Sequence, residues 1–202
     1  MNALNRKLIT GGLSKPSKMP GYAYNLPATE CKVGAKLVQV PGSVCHGCYA
    51  LKGRYRFPNV KEAMHRRLAS IQGPLWVETM AADINARKSK YFRWHDSGDI
   101  QSLAHLKKIF DVCKLTPDVA HWIPTRESGI LSKLGPEEVP ANLTIRLSAT
   151  MVDGNAPKNS WHLTSTVVTE GASCPAPKQG NECKSCRNCW DQSIKNIAYG
   201  KH

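Results

Sequence analysis

No run in the 202 residues approaches the roughly 20 apolar positions of a membrane span. The opening stretch, Met1 to Gly12, also lacks the apolar core of a signal peptide. A membrane protein and an exported one are therefore both disfavoured, and the chain reads as soluble and cytoplasmic. Acidic residues are scarce: 15 Asp and Glu stand against 28 Lys and Arg, a formal charge of +13. Such a surface attracts nucleic acid or an anionic small molecule, although the Lys and Arg residues are scattered rather than clustered. The chain is too short for a standard eightfold barrel of about 250 residues. It is long enough for one well-buried core.

Cysteine is the residue in excess. In a reducing compartment eight cysteines point to metal or catalysis; four disulfides in an exported protein are the alternative. The most informative stretch is Cys183-Lys-Ser-Cys186-Arg-Asn-Cys189, because C-x2-C-x2-C is the local half of a four-iron ferredoxin site. Cys174-Pro175 lies upstream and can supply a fourth thiolate. A second group, Cys31 and the pair Cys45-His-Gly-Cys48, stands near the other end. A C-x2-C pair lets one loop place two thiolates on one metal ion or one cluster face.

Between the two groups the pattern is α/β. Residues 1–24 are rich in Gly, Pro, Ser and Lys without a clear period and read as an N-terminal arm; residues 25–202 read as a single domain. A helix is expected from Pro58-Asn59, with Asn59 and Glu62 as a capping box. Another opens at Pro74, and a third near Ser102 carries Leu103, Leu106, Phe110 and Cys113 on one face. On that stripe Cys113 is a small hydrophobe, which leaves seven cysteines for chemistry. Strands are expected over Tyr91–Asp96, His121–Arg126, Asn142–Ser148 and Leu163–Val168, with a short helix over Glu127–Leu134 between the second and third. Strands spaced by helices indicate βα units and a parallel sheet, either a partial (β/α) barrel or an open sheet, with cysteine-rich loops at both ends. Side chains alternate along a strand. Arg93 and His95 should therefore oppose Phe92 and Trp94, and Thr144, Arg146 and Ser148 should oppose Leu143, Ile145 and Leu147. Thr164 and Thr166 repeat the scheme, giving the sheet one polar face.

Cys45-x2-Cys48-Tyr49-Ala50, Phe92-Arg-Trp-His-Asp-Ser-Gly-Asp99, Thr125-Arg126 and Cys174-Pro-Ala…Cys183-x2-Cys186-x2-Cys189-Trp190 together resemble a group of phage-encoded proteins. These are distantly similar to radical S-adenosylmethionine (SAM) barrels. The resemblance spans about Leu26 to Asp191. It implies a barrel-like α/β fold with a 4Fe-4S cluster at the carboxyl ends of the strands, acting in the host cytoplasm or carried in a virion. Two departures stand out. Radical SAM enzymes use C-x3-C-x2-C, whereas this chain has Cys31-x13-Cys45-x2-Cys48; and no Gly-Gly-Glu-Pro segment is present.

Two ligand partitions follow. Either Cys174, Cys183, Cys186 and Cys189 saturate one cluster while Cys31, Cys45 and Cys48 hold another with an open iron, or one cluster bridges the chain ends. One cluster is favoured over two, because a bridging site explains why the thiols sit only at the ends. Zinc is the rival metal, but its four-cysteine sites pair two C-x2-C units and would leave one tail thiol superfluous. Around the metal, Arg93, His95, Asp96, Asp99, Arg126, Arg146 and Ser148 are expected near the carboxyl strand ends, where parallel sheets bind ligands. Arg126 and Arg146 can clamp a carboxylate or phosphate. His95 can move a proton or bond a cluster sulfide, and Asp96 and Asp99 complete the polar set. Three functions are consistent with these features: a redox or cluster-holding protein served by an electron donor, a true radical SAM enzyme, and a zinc-stabilised basic module that binds nucleic acid.

Overall fold

Alternation of apolar and polar side chains along the strands divides one sheet into two unlike faces, and the rest of the chain is arranged around that division. The computed structural model describes residues 1–158 and 161–201. Among them six strands pair in chain order, every neighbour parallel: β1 (Tyr22–Tyr24), β2 (Tyr91–Trp94), β3 (Ala120–Thr125), β4 (Leu143–Val152), β5 (Leu163–Val168) and β6 (Asn196–Gly200). The sheet is open and wholly parallel. Helices α1 (Ala3–Thr10), α2 (Lys32–Leu37), α3 (Pro58–Ser70), α4 (Trp76–Ala86), α5 (Leu103–Lys114) and α6 (Ser128–Leu131) fill the connections before β4. Among the described residues no helix is long and apolar enough to cross a membrane.

Phe92, Trp94, Ile123, Leu143, Ile145 and Leu147 form the apolar face and join Trp76, Met80 and Ile84 of α4 and Leu106, Ile109 and Phe110 of α5 in one core. Ser102 caps α5 as its pattern predicts, its hydroxyl accepting the His105 N–H at 3.0 Å. Cys113 is fully buried in that core. Helix α3 is capped two residues earlier than expected: Phe57 is its N-cap and Pro58 its first residue. The fixed φ of proline sets the start. Asn59 therefore lies inside the first turn, and Glu62 pairs with Arg66 at 3.4 Å instead of closing a capping box.

Strands β1 and β6 and helices α1 and α2 carried too little pattern to be read. Residues 1–24 hold α1 and the edge strand β1, and they are tied to the body. The buried Arg67 donates from Nε to the Gly12 carbonyl at 2.6 Å, Tyr24 Oη reaches the Thr10 carbonyl at 2.5 Å, and Arg6 pairs with the buried Asp83 at 3.2 Å.

Three buried histidines stay neutral for reasons of geometry. Trp94 Nε1 donates to His121 Nδ1 at 3.1 Å, so the ring proton sits on Nε2 and is given to Thr116 Oγ1 at 2.8 Å. A second proton on Nδ1 would face the Trp94 N–H, and burial pushes the His121 pKa down to about 3. His95 is held down to about 4, chiefly by burial, and His105 also falls well below the ordinary value. A histidine depressed in this way stabilises the fold above its unfolded pKa near 6.5, and the contribution is lost as pH falls through the folded value. The His121 ring nitrogens should keep the neutral signature in nitrogen-edited NMR from pH 7 down to pH 5. Titration near 6.5 would show that the Trp94–His121–Thr116 chain is not formed.

Candidate metal centre

The thiols gather in two groups, one from each end of the chain. Cys31 precedes α2, and Cys45 and Cys48 follow it in a run of tight turns. A β-carbon added to Gly34, on the first turn of α2, would stand 3.6 Å from Cys31 Sγ and 3.6 Å from Cys45 Sγ. Both sulfurs thus face one small space that only glycine leaves open. Burial raises the Cys31 pKa, and the negative charges of Asp99, Cys48, Cys45 and Glu127 raise it further. Cys45 is raised chiefly by burial and by Cys48 and Asp99, while Arg126 opposes the shift. Thiols that raise one another's pKa lie within electrostatic reach, and a cation placed among them would convert this repulsion into binding.

Side chains at the carboxyl strand ends close over this trio. After β2 the backbone turns sharply, with His95 at φ 68° and Gly98 at φ 78°. A β-carbon on Gly98 would lie 2.6 Å from Leu26 Cβ, so the turn requires glycine. Asp99 returns beneath the thiols, its carboxylate accepting the N–H groups of Ile100 at 2.8 Å and Arg126 at 2.9 Å. Burial pushes its pKa up to about 6 against those donors; this contribution favours the fold below about pH 4 and is lost as pH rises through 6, opposite in sign to the histidines. Glu127, which the residue pattern did not single out, accepts the Val33 N–H at 3.0 Å and so holds the start of α2.

The second group is the tail between β5 and β6, which crosses the polar face of the sheet. Cys183 is raised by burial first, then by Cys174 and Cys186, with Arg93 and Arg187 opposing. Cys189 is pushed up to about 11, mainly by burial, and lies 3.2 Å from the Tyr199 hydroxyl. Tyr199 could not be anticipated, because β6 was not read as a strand. Trp190 anchors the tail: its Nε1 donates to the Phe92 carbonyl at 3.0 Å, and its ring meets Trp122 edge-on at 5.2 Å.

The expected site residues divide accordingly. Arg93 lies between the two groups. Its guanidinium stacks 4.7 Å over Trp122, donates to Met19 Sδ at 2.8 Å and is in electrostatic reach of Tyr49, Asp96 and Cys189, while its Nε finds no partner. Asp96 accepts the Tyr55 hydroxyl on Oδ2 at 3.2 Å and leaves Oδ1 buried without a partner. Arg126 donates from Nε to the Ala149 carbonyl at 3.2 Å and lies beside Cys45. His95 does not share the face of Arg93. Its positive φ breaks the alternation, and the ring packs among Tyr24, Trp94 and His105, with Nδ1 2.6 Å from the Tyr24 carbonyl. Arg146 is fully buried, and its five N–H donors reach main-chain carbonyls of Cys189, Thr164, Ile194, Asn188 and Asp191 at 2.7–3.5 Å. It clamps the tail and has no donor left for an anion. Ser148 bonds Ser165 at 2.9 Å. The register that pairs Ser148 with Ser165 and Leu147 with Thr164 puts Ser165 on the polar face, and Thr164 and Thr166 on the other.

All eight cysteines are free. Among the described residues no three His, Cys, Asp or Glu side chains are placed to hold a single metal ion. The model for the family described as Gene product 88 matches residues 2–192. The chain belongs to that family. Membership of the gene product 88 family agrees with the resemblance to phage-encoded proteins and adds no counterpart to the likeness with radical SAM barrels. No curated protein and no solved structure matches this gene product 88 chain.

Proposed function

We propose that the protein is an iron–sulfur protein with two separate 4Fe-4S sites on a radical-SAM-like partial barrel. Cys31, Cys45 and Cys48 would hold one, and Cys174, Cys183, Cys186 and Cys189 the other. The observation that carries this reading is the segregation of the thiols by chain end, three at the carboxyl ends of β1 to β3 and four across the polar face. That grouping favours two sites over the single bridging cluster expected from spacing. Strands in sequential, all-parallel order are the arrangement that a partial barrel would have.

The donor sets suit a cluster better than one ion. Tetrahedral zinc needs sulfurs about 3.8 Å apart, given a metal–sulfur bond near 2.3 Å. Among the described residues no three such donors are placed for one ion, and a four-iron core spaces its thiolates more widely. When bound, such clusters supply one-electron chemistry. The chain's own residues set the conditions: Arg93 offsets negative charge between the two groups, Tyr199 hydrogen-bonds Cys189, and Asp99 and Glu127 hold the backbone around the trio. A reducing host cytoplasm and an electron donor of low potential fit this role.

The trio favours a second reading, radical SAM chemistry. It offers three thiols, and the Asp99 and Glu127 carboxylates already accept main-chain N–H groups. One iron would therefore lack a protein ligand. Cleavage of SAM by the dithionite-reduced protein supports this reading, and its absence leaves a redox or cluster-holding role.

Gly34→Ala tests the two-site reading. The added methyl fills the cradle, 2.9 Å from Cys31 Cβ and 3.6 Å from both sulfurs. Iron per chain should fall by about half, and the tail site should keep its spectroscopic signal. Full retention of iron, or loss of all of it, contradicts two independent sites.

A further inference from the structure

From Cys31 to Lys61 the chain contains no Asp or Glu, although 15 acids are distributed elsewhere. The same stretch carries Lys32, Lys36, Lys52, Arg54, Arg56 and Lys61, all exposed. Among the described residues none of the six takes part in an ion pair. A count of bases per window misses this ribbon, because the absence of acids sets its field, and the density of bases is ordinary. The segment is fixed rather than free. Tyr55 packs edge-on against Tyr49 with ring centroids 5.8 Å apart and donates to Asp96, which holds the turn Gly53–Arg56 against the end of β2.

Val40, Tyr49 and Phe57 are exposed large hydrophobic residues of the ribbon, and Phe57 is the most exposed of the three. Phe57, flanked by Arg56 and Pro58, is 54% exposed at the N-cap of α3. Its backbone is set by the turn before it and the proline after it, so the ring is presented on a rigid support. Cations that track phosphates beside an exposed aromatic face are the two components of single-strand recognition. A duplex offers the phosphates without open base faces. An acidic protein offers carboxylates and no series of rings.

We propose that the ribbon Lys32–Lys61 binds single-stranded nucleic acid, with Lys52, Arg54, Arg56 and Lys61 along the backbone and Phe57 stacked on a base. The ribbon encloses Cys45 and Cys48, so a bound strand would pass beside the trio. Binding does not depend on what the thiols hold, and the iron content of each preparation is scored separately.

The test is fluorescence anisotropy of the full chain with a labelled single-stranded DNA of about 20 nucleotides, titrated at about 50 and 200 mM salt. Wild type should bind with an affinity that falls steeply with salt. Arg54→Gln/Arg56→Gln should weaken binding at least tenfold and reduce the log–log salt slope by more than one, since each phosphate contact on a single strand contributes about 0.7. Phe57→Ala should weaken binding about tenfold with the slope unchanged. Lys88→Gln/Lys90→Gln removes the same charge at the opposite end of β2 and should have no effect. Equal losses in the two double variants would reduce the effect to overall charge and overturn the proposal. Preference for a duplex, insensitivity to Phe57→Ala, or equal affinity for poly-glutamate would overturn it as well. Circular dichroism of every variant separates lost binding from lost fold.

Discussion

Cys186→Ser is expected to empty the tail site, halve the iron per chain and unfold the segment between β5 and β6. Residues 169–195 contain only short 3-10 turns, Ala176–Gln179 and Asn188–Trp190, and Trp190 is the one large side chain they bury. Apolar burial alone is too small to order a segment of that length. The Arg146 bonds supply part of the remainder, and under the proposed function the thiols and their metal supply the rest, on the order of 10 kcal/mol at a structural site. Limited proteolysis should cut the variant within the tail and spare α3 to α5. An unchanged cleavage pattern with unchanged iron would show that Cys186 is not a ligand. The matching change in the other group, Cys48→Ser, should remove iron with little loss of stability, because α2 and the turns after it are held by main-chain bonds and by Glu127.

Arg146→Met should be nearly as damaging, by a different route. The guanidinium is buried under the tail and makes five hydrogen bonds to carbonyls, with the Asp191 carboxylate in electrostatic reach. Methionine fills much of the volume but leaves those carbonyls unsatisfied, at roughly 1–3 kcal/mol for each that water cannot reach. A total of about 3–5 kcal/mol is expected, read as a lower urea midpoint. Arg146→Lys keeps the charge and at most three donors, and should fall between. If Arg146 instead served an anionic ligand, the Met variant would be as stable as wild type or more so.

How far the sequence discloses this architecture depends on the length of each signal. Helix α5 shows its cap and stripe over twelve residues, and β4 alternates over six, so both are legible. Strand β1 has three residues after a Pro-Gly pair and offers no period; β6 follows the cysteine run and is masked by it. The faces of β4 follow from alternation, but β5 does not obey the same reading, because register with β4 sets which side Thr164 presents, and register is a property of the pair. His95 is the instructive exception on β2. Alternation places it beside Arg93, yet one left-handed residue at the strand end turns its ring into the helical layer, and no local pattern announces that turn. The cysteines were legible as candidate ligands by type and spacing. Their division into these two groups was one of the two partitions that spacing offered; the choice between them depends on which strand ends the loops meet.

Binding of two clusters by the two thiol groups is directly measurable. Iron, acid-labile sulfide and zinc should be quantified together on anaerobically prepared protein, with electron paramagnetic resonance before and after dithionite. About eight iron and eight sulfide per chain, a broad visible absorption and a reduced spectrum composed of two overlapping signals are the expected result. Zinc in place of iron, without sulfide, would contradict it.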